Sequence, residues 1–189
     1  RGSGCYVTYK GAHLIVTAAH VFDDANTNWI WIVRGKKKVK AHPVYFDKGE
    51  DIALVATKPL SMVKPTKLNV RAPFPPIGEE LTYSGYPGNH DLLTIRGEVT
   101  GYEKIWDDRE KIVVHTYGWP GASGSCFFDK RGRMVGVLVA IPVGRGYVPQ
   151  LLESMVFATP IKVLDLDKLD DNLCKLQPKI RPQFCVRRK

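Results

Sequence analysis

The chain has few cysteines, and their spacing lacks any recognised pattern. None of the four belongs to a Cys-x-x-Cys pair, the usual signature of zinc sites and thiol redox motifs. The spacing therefore disfavours both functions, and we expect no metal. We interpret the cysteines as free thiols, which are typical of reducing compartments, although one disulfide between Cys174 and Cys185 stays open. The four positions are Cys5, Cys126, Cys174 and Cys185.

Long apolar runs are absent as well. The longest, 137–143, contains Pro142 and is far shorter than the roughly 20 residues that cross a bilayer. The first residues show no charged segment followed by an apolar one, so no secretory signal is visible. We therefore expect the chain as given to be soluble.

Helical periodicity is scarce, and short β-prone runs take its place. Runs rich in Val, Ile, Tyr, Trp and Thr alternate with Gly, Pro, Asn and Asp, a pattern typical of strands separated by turns. Apart from a single turn after His20, only 161–173 has the spacing of a helix. The sequence predicts an all-β barrel or sandwich. The runs are 5–9, 13–18, 29–33, 38–45, 51–57, 80–85, 92–102, 111–116, 125–129, 134–142 and 154–160.

The formal charge of +9 is unevenly distributed. The tail, 175–189, has six basic and no acidic residues, so the rest of the chain carries +3 (+9 minus +6). A second basic cluster, 36–40, follows Arg34-Gly35, where a hairpin turn would expose it. Both segments are candidates for binding nucleic acid. The tail is equally typical of a solvated segment, and most runs like 36–40 are solvated surfaces. The prolines of the tail favour an extended or disordered segment.

Ser123 lies in the segment that most strongly suggests chemistry, 118–125 (GWPGASGS). Its glycines permit a tight turn in which successive N–H groups point into one concavity. The N–H groups of Gly121 and Ser123 would stabilise a developing oxyanion while the serine hydroxyl acts as nucleophile. Taken alone, Gly-x-Ser-Gly-Ser is also common in flexible loops.

A nucleophilic serine needs a base, most often a histidine, and a carboxylate that orients the base. Among five histidines, His20 ends the run 14–20 (LIVTAAH), where a strand would hold an imidazole rigidly. Asp51 directly precedes four apolar residues and is thus the acid most suited to burial. We predict that His20, Asp51 and Ser123 are the catalytic residues.

Three blocks carry a family resemblance: TAAH (17–20), DIAL (51–54) and GASGS (121–125). They resemble the signature blocks of the trypsin-like (PA-clan) serine peptidases, in the chymotrypsin order His, Asp, Ser. Their separations, 31 residues (51 minus 20) and 72 residues (123 minus 51), are also similar. Further blocks match the HtrA-like and virus-encoded branches more than digestive trypsins, at 2–4, 85–88, 97–99, 136–139 and 157–160.

This resemblance implies a fold of two six-stranded antiparallel Greek-key barrels with a short C-terminal helix. The N-terminal barrel, 1–68, would carry His20 and Asp51, and the C-terminal barrel, 69–160, would carry Ser123. The helix and basic tail would occupy 161–189. The chain would be a chymotrypsin-like serine endopeptidase that works through an acyl-enzyme, without cofactor or metal.

The resemblance also implies a binding cleft. A substrate backbone would pair with Val139, Ala140 and Ile141 as an added strand. Tyr117 stands where trypsin has an acid that attracts Lys or Arg, and Ile141 stands where a glycine would keep the pocket open. Together with Gly118, these residues predict a narrow pocket for a small or medium apolar side chain.

One departure from digestive relatives concerns the biological role. The disulfide that brackets the histidine in those enzymes is absent, because Val21 follows His20. We favour processing of a viral polyprotein, which would place the enzyme in the host cytoplasm. The alternatives are an HtrA-like quality-control protease domain and an inactive binding module with nucleic-acid affinity. The expected partners are a polypeptide substrate and, through the basic segments, nucleic acid, with no membrane.

Overall fold

The computed structural model describes residues 1–22, 30–61, 63–105, 107–144, 150–151, 154–176 and 182–187. Almost half of the described residues lie in β-strands, and most of these strands form two groups that follow one another in sequence. This confirms the predicted all-β, two-barrel class. The domain limits at residues 68 and 160 remain predictions.

The first group is a six-stranded sheet. Its order is β3-β4-β5-β2-β1-β6, and all neighbours are antiparallel except the parallel pair β1 and β6. β5 is buried at all six positions, because its apolar sequence IALVAT fits the centre of a sheet covered on both faces. The strands are β1 Cys5–Tyr9, β2 Ala12–Thr17, β3 Ile30–Arg34, β4 Lys37–Asp47, β5 Ile52–Thr57 and β6 Thr66–Lys67.

The second group closes into a six-stranded antiparallel barrel with the order β10-β11-β14-β9-β8-β7. β10 pairs with β7 and thereby completes the ring. The barrel strands are β7 Glu80–Gly85, β8 Leu93–Ile105, β9 Arg109–His115, β10 Cys126–Phe128, β11 Met134–Ala140 and β14 Met155–Pro160. A separate two-stranded sheet is formed by β12 Val143–Gly144 and β13 Gln150–Leu151.

One apolar cluster joins the two groups. It contains Leu14 and Leu54 from the first group, Val137 from the second, and Leu169 from the C-terminal helix, all fully buried. The helix, α1 Leu166–Cys174, begins where Asp165 accepts a hydrogen bond from the backbone N–H of Lys168. It confirms the predicted C-terminal helix. No helix among the described residues is long and apolar enough to cross a membrane.

The interpretation of the cysteines as free thiols is wrong. Cys5 in β1 is bonded to Cys126 in β10, with 6.1 Å between their Cα atoms, and Cys174 is bonded to Cys185. The first pair is separated by 121 residues, so no local spacing reveals it. The expectation of a reducing compartment therefore loses its basis, since disulfides persist chiefly in oxidising compartments.

The described part of the basic tail is also ordered, contrary to expectation. A short 3₁₀ helix, Gln183–Arg187, follows the buried Pro182, and Phe184 packs against the main apolar cluster. Lys10 lies over the Phe184 ring and also donates to Asp170 of α1. Residues 177–181 and 188–189 of the predicted tail lie outside the described residues.

Candidate active site

His20 and Asp51 come together at one end of the first sheet. β2 ends at Thr17, and the short 3₁₀ helix Ala19–Phe22 presents His20, while Asp51 precedes β5. Asp51 Oδ2 lies 2.7 Å from His20 Nδ1, and Asp51 Oδ1 accepts from the His20 backbone N–H at 2.8 Å. An ionised carboxylate only accepts hydrogen bonds, so it selects the tautomer with the proton on Nδ1. His20 Nε2 is then the basic nitrogen.

The backbone of Asp51 adopts a conformation that L-residues rarely occupy. Its φ is +56°, which costs about 1–2 kcal/mol for most residues and is tolerated best by Asp and Asn after Gly. The two hydrogen bonds to His20 depend on this backbone conformation, because both carboxylate oxygens must face the 3₁₀ helix that carries His20. The side chain of Asp51 is only 13% exposed, against 40% for His20.

The Ser123 segment forms the predicted tight turn. Gly121 and Gly124 have φ values of +95° and +87°. The Ala122 N–H donates to Trp119 O at 3.0 Å, and the Ser125 N–H donates to Ala122 O at 2.9 Å. Neither the Gly121 N–H nor the Ser123 N–H donates to a carbonyl within the described ranges. Among the described residues, neither of the two predicted oxyanion donors is therefore occupied by a backbone carbonyl.

Glycines bring the serine turn against the segment that carries His20. A β-carbon at Gly2 would lie 3.0 Å from both Ser123 O and Val21 Cγ1. A β-carbon at Gly124 would lie 3.1 Å from the Ala18 nitrogen. Among the described residues, no hydrogen bond joins Ser123 Oγ to the His20 ring. Such contacts are often long in free enzymes and shorten when substrate binds.

Ser3 is a site residue that the sequence analysis missed. It is buried, and its Oγ donates to Gly121 O at 2.7 Å and accepts from the Tyr86 N–H at 3.0 Å. Its N–H donates to Ser123 O at 2.8 Å. The block Gly2-Ser3-Gly4 contributed to the family resemblance but gave no sign of this role, because the contacts span about 120 residues.

The residues predicted to line the pocket pack closely around Gly118. A β-carbon at Gly118 would lie 3.1 Å from Ile141 Cγ1 and would collide with Val156, so aliphatic groups already occupy this space. The Tyr117 side chain is 58% exposed and stacks on Trp119 with ring centroids 5.6 Å apart. Its carbonyl accepts from the Tyr83 hydroxyl at 2.6 Å. Tyr117 therefore lies at the surface. Gly118, by contrast, lies against the side chains of Ile141 and Val156.

Residues 139–141 lie at the end of β11. The pairing of β10 with β11 reaches only Val137, after which Leu138 bonds to the backbone of the serine turn. Beyond that point, the described strand pairing of β11 continues only with β14, at Ala140. One side of the Val139–Ile141 backbone is thus clear of other strands, while the Val139 side chain is buried.

A cavity of about 350 Å³ opens beside Tyr117 but contains none of the predicted catalytic residues. It is lined by charges of both signs, including Glu80, Arg96 and Glu98. Among the described residues, no group of three or more His, Cys, Asp or Glu side chains could hold a metal ion.

A family model of the trypsin-like peptidase domain matches residues 2–137, a range that includes His20, Asp51 and Ser123. The chain belongs to the trypsin-like peptidase family. It is a chymotrypsin-like serine endopeptidase, as the three sequence blocks predicted. No curated protein sequence matches this peptidase.

Solved structures show the shared fold. The active form of the Rv3671c protease from M. tuberculosis is 20% identical with a TM-score of 0.68, over 94% of this chain and 75% of that one. The HtrA-type protease AlgW, in a variant form with a tripeptide, is 20% identical with a TM-score of 0.68, over 86% and 52%. A serine endoprotease from Yersinia pestis is 21% identical with a TM-score of 0.67, over 89% and 57%. The peptidase spans just over half the length of the latter two.

Proposed function

We propose that His20, Asp51 and Ser123 form a catalytic triad that hydrolyses peptide bonds through an acyl-enzyme. The observation that carries this proposal is the double hydrogen bond from His20 to Asp51, beside a glycine-rich serine turn with two N–H donors that no described backbone carbonyl occupies. Each of these features supplies one requirement of acyl transfer: a base, its orienting acid, a nucleophile and an oxyanion site.

In the proposed reaction, Ser123 Oγ attacks the substrate carbonyl carbon while His20 Nε2 takes the hydroxyl proton. Asp51 Oδ2 accepts a hydrogen bond from His20 Nδ1–H and stabilises the imidazolium that forms. The N–H groups of Gly121 and Ser123 bind the oxyanion, a contribution of roughly 3–4 kcal/mol per donor in a measured case. His20 then protonates the leaving amine, and water repeats the sequence to release the acid and free Ser123.

The test is intact mass after incubation with a fluorophosphonate, which phosphorylates an activated serine and releases fluoride. We expect one label on the wild type, none on Ser123→Ala, and strongly slowed labelling of His20→Ala and Asp51→Ala. Ser84→Ala, which removes an exposed hydroxyl outside the site, is the matched control and should label normally. Undiminished labelling of Ser123→Ala would overturn the assignment.

We infer that the residue before the cleaved bond is small or medium and apolar, because Ile141 and Val156 fill the space in front of Gly118. A peptide library should give dominant cleavage after such residues. Ile141→Gly should shift the preference towards larger side chains. Dominant cleavage by the wild type after Lys, Arg or Glu would refute this specificity.

For the biological role, viral polyprotein processing remains our proposal from the sequence resemblance. The two disulfides favour the HtrA-like alternative, since they suit an oxidising compartment better than a host cytoplasm. The two roles differ in substrate. A processing enzyme should cut one short sequence whether or not the carrier protein is folded, whereas a quality-control enzyme should cut unfolded proteins at many sites and spare the folded form.

We also retain nucleic-acid binding as a second property, favoured by the β3–β4 hairpin. Trp31 in β3 is 43% exposed, and the Nζ of Lys38 in β4 lies 4.7 Å from its ring centroid. Exposed aromatic rings beside cations suit stacking on single-stranded bases. An oligonucleotide should bind with an affinity that falls steeply with salt, and Trp31→Ala should weaken it. No binding at low salt would exclude this property.

A further inference from the structure

A buried cation links the second barrel to the residue before Asp51. Lys111 in β9 has no exposed side-chain surface. Its Nζ donates to Glu50 Oε2 at 2.8 Å, to Glu50 O at 3.1 Å and to Thr159 Oγ1 at 3.0 Å. An ammonium group has three donors, enough for these three bonds. A buried charge is stable only when paired in this way, which ties Lys111 to Glu50.

Two further side chains of the second barrel contact Glu50. Thr159 in β14 is fully buried, and its Oγ1 donates to Glu50 O at 2.6 Å. Arg109 Nη1 donates to Glu50 Oε1 at 3.0 Å. The Arg109 guanidinium also packs over Gly49, where a β-carbon would collide with it.

The contacts to the Glu50 carbonyl are the ones that bear on Asp51. That carbonyl belongs to the peptide unit joining Glu50 to Asp51, and φ of Asp51 describes rotation about the bond that follows this unit. Lys111 and Thr159 fix the orientation of the peptide plane from the opposite barrel. They therefore act on Asp51, whose φ is +56° and whose carboxylate must reach both the backbone N–H and the Nδ1 of His20. Unusual backbone conformations persist where surrounding contacts hold them.

We propose that Lys111 and Thr159 are positioning residues for the peptidase reaction. They hold the Glu50 carbonyl and thereby keep the Asp51 carboxylate in register with His20, an inference that rests on the proposed triad. Neither side chain touches substrate. The acid of the triad is thus oriented by the barrel that carries the nucleophile, although it belongs to the other sheet.

The cleanest test is a pair of variants at Thr159. Thr159→Val keeps the shape of the side chain and removes the hydroxyl, whereas Thr159→Ser keeps the hydroxyl. Small displacements of catalytic groups can reduce rates by about 100-fold, so we expect Thr159→Val to lower kcat by roughly 10- to 100-fold with KM within about twofold of the wild type. Thr159→Ser should retain most of the activity. The NMR signal of the His20 Nδ1 proton, shifted downfield by the carboxylate, should weaken only in Thr159→Val.

Lys111→Met removes the cation at similar volume and should have a larger effect in the same direction. Lys104→Met, on the neighbouring strand β8, is its control, because it breaks an exposed ion pair with Asp108. If Lys111→Met does not fold, the Thr159 pair decides. A folded Thr159→Val that loses thermal stability but keeps kcat and the proton signal would overturn the positioning role. Failure of the triad itself would appear separately, as fluorophosphonate labelling that survives Ser123→Ala.

Discussion

At the scale of single residues, a catalytic side chain can be recognised in the sequence more readily than the residues that hold it in place. His20, Asp51 and Ser123 stand out because each type is required by acyl transfer and each lies in a suggestive segment. Ser3 and Lys111 carry no such signal. Their roles come from contacts with residues 118 and 61 positions away, which depend on how the two sheets meet.

Tyr83 is a buried residue beside the site whose contribution to stability can be measured. It is fully buried, its hydroxyl donates to Tyr117 O, and burial raises its pKa to about 12. Because the folded pKa lies above the ordinary value of 10.0, the stabilisation is complete below pH 10 and is lost as pH rises towards 12. We expect Tyr83→Phe to cost about 1 kcal/mol at pH 7, and less as the pH rises through this range.

Urea unfolding at pH 7 and at pH 11 would measure both effects. Other buried tyrosines contribute to the alkaline decline of the wild type, so the difference between wild type and variant isolates Tyr83. An equal difference at both pH values would contradict this account.

At the scale of elements, strand patterns are visible wherever a strand is long enough to repeat. Each of the eleven predicted runs overlaps an observed strand. The strands that were missed, β6, β12 and β13, have two residues each, too few to show alternation. The two-barrel architecture is implied only by the family resemblance, because strand composition does not specify which strands are neighbours.

The turn between β10 and β11 provides an element-scale prediction. Asp129 Oδ1 accepts from the backbone N–H groups of Arg131 and Arg133, and Oδ2 accepts from Arg133 Nε at 2.6 Å. Burial alone would raise the pKa of Asp129, but the hydrogen bonds from Arg133 and Arg131 outweigh it and lower the pKa. The carboxylate therefore stabilises the fold above its unfolded pKa, near about 3.9, and this stabilisation is lost as pH falls through the folded pKa.

Asp129→Asn should therefore destabilise the protein by about 1–3 kcal/mol at pH 7, and by progressively less as the pH falls below about 4. Thermal unfolding across that range would show it. Asp108→Asn, at a side chain that is 76% exposed, is the control and should have little effect at any pH. A pH-independent loss in Asp129→Asn would rule out the carboxylate as the cause.

At the scale of the whole molecule, the bond between Cys5 and Cys126 joins the two sheets. Cross-links that close long loops restrict the unfolded chain most. Replacing both cysteines by alanine should cost about 2–5 kcal/mol. A reductant opens both disulfides and should destabilise the wild type at least as much. The matched double variant at Cys174 and Cys185 removes a cross-link between residues 11 positions apart, against 121 for Cys5 and Cys126. Its loss of unfolding free energy should therefore be smaller by about 2 kcal/mol. Chemical denaturation of both variants would test this ranking. A larger loss of stability in the Cys174 and Cys185 variant would contradict the prediction.

The position of Ser3 has a consequence for protein synthesis. A nascent chain exposes Ser3 early, but Gly121 and Ser123, which bind it, leave the ribosome more than a hundred residues later. The turn around Ser123 also needs Leu138, whose carbonyl accepts the Gly124 N–H. We therefore expect the proposed oxyanion site to form only after β11 has emerged. On this proposal, the peptidase becomes active only after translation has passed that strand, which spares the growing chain from its own proteolysis.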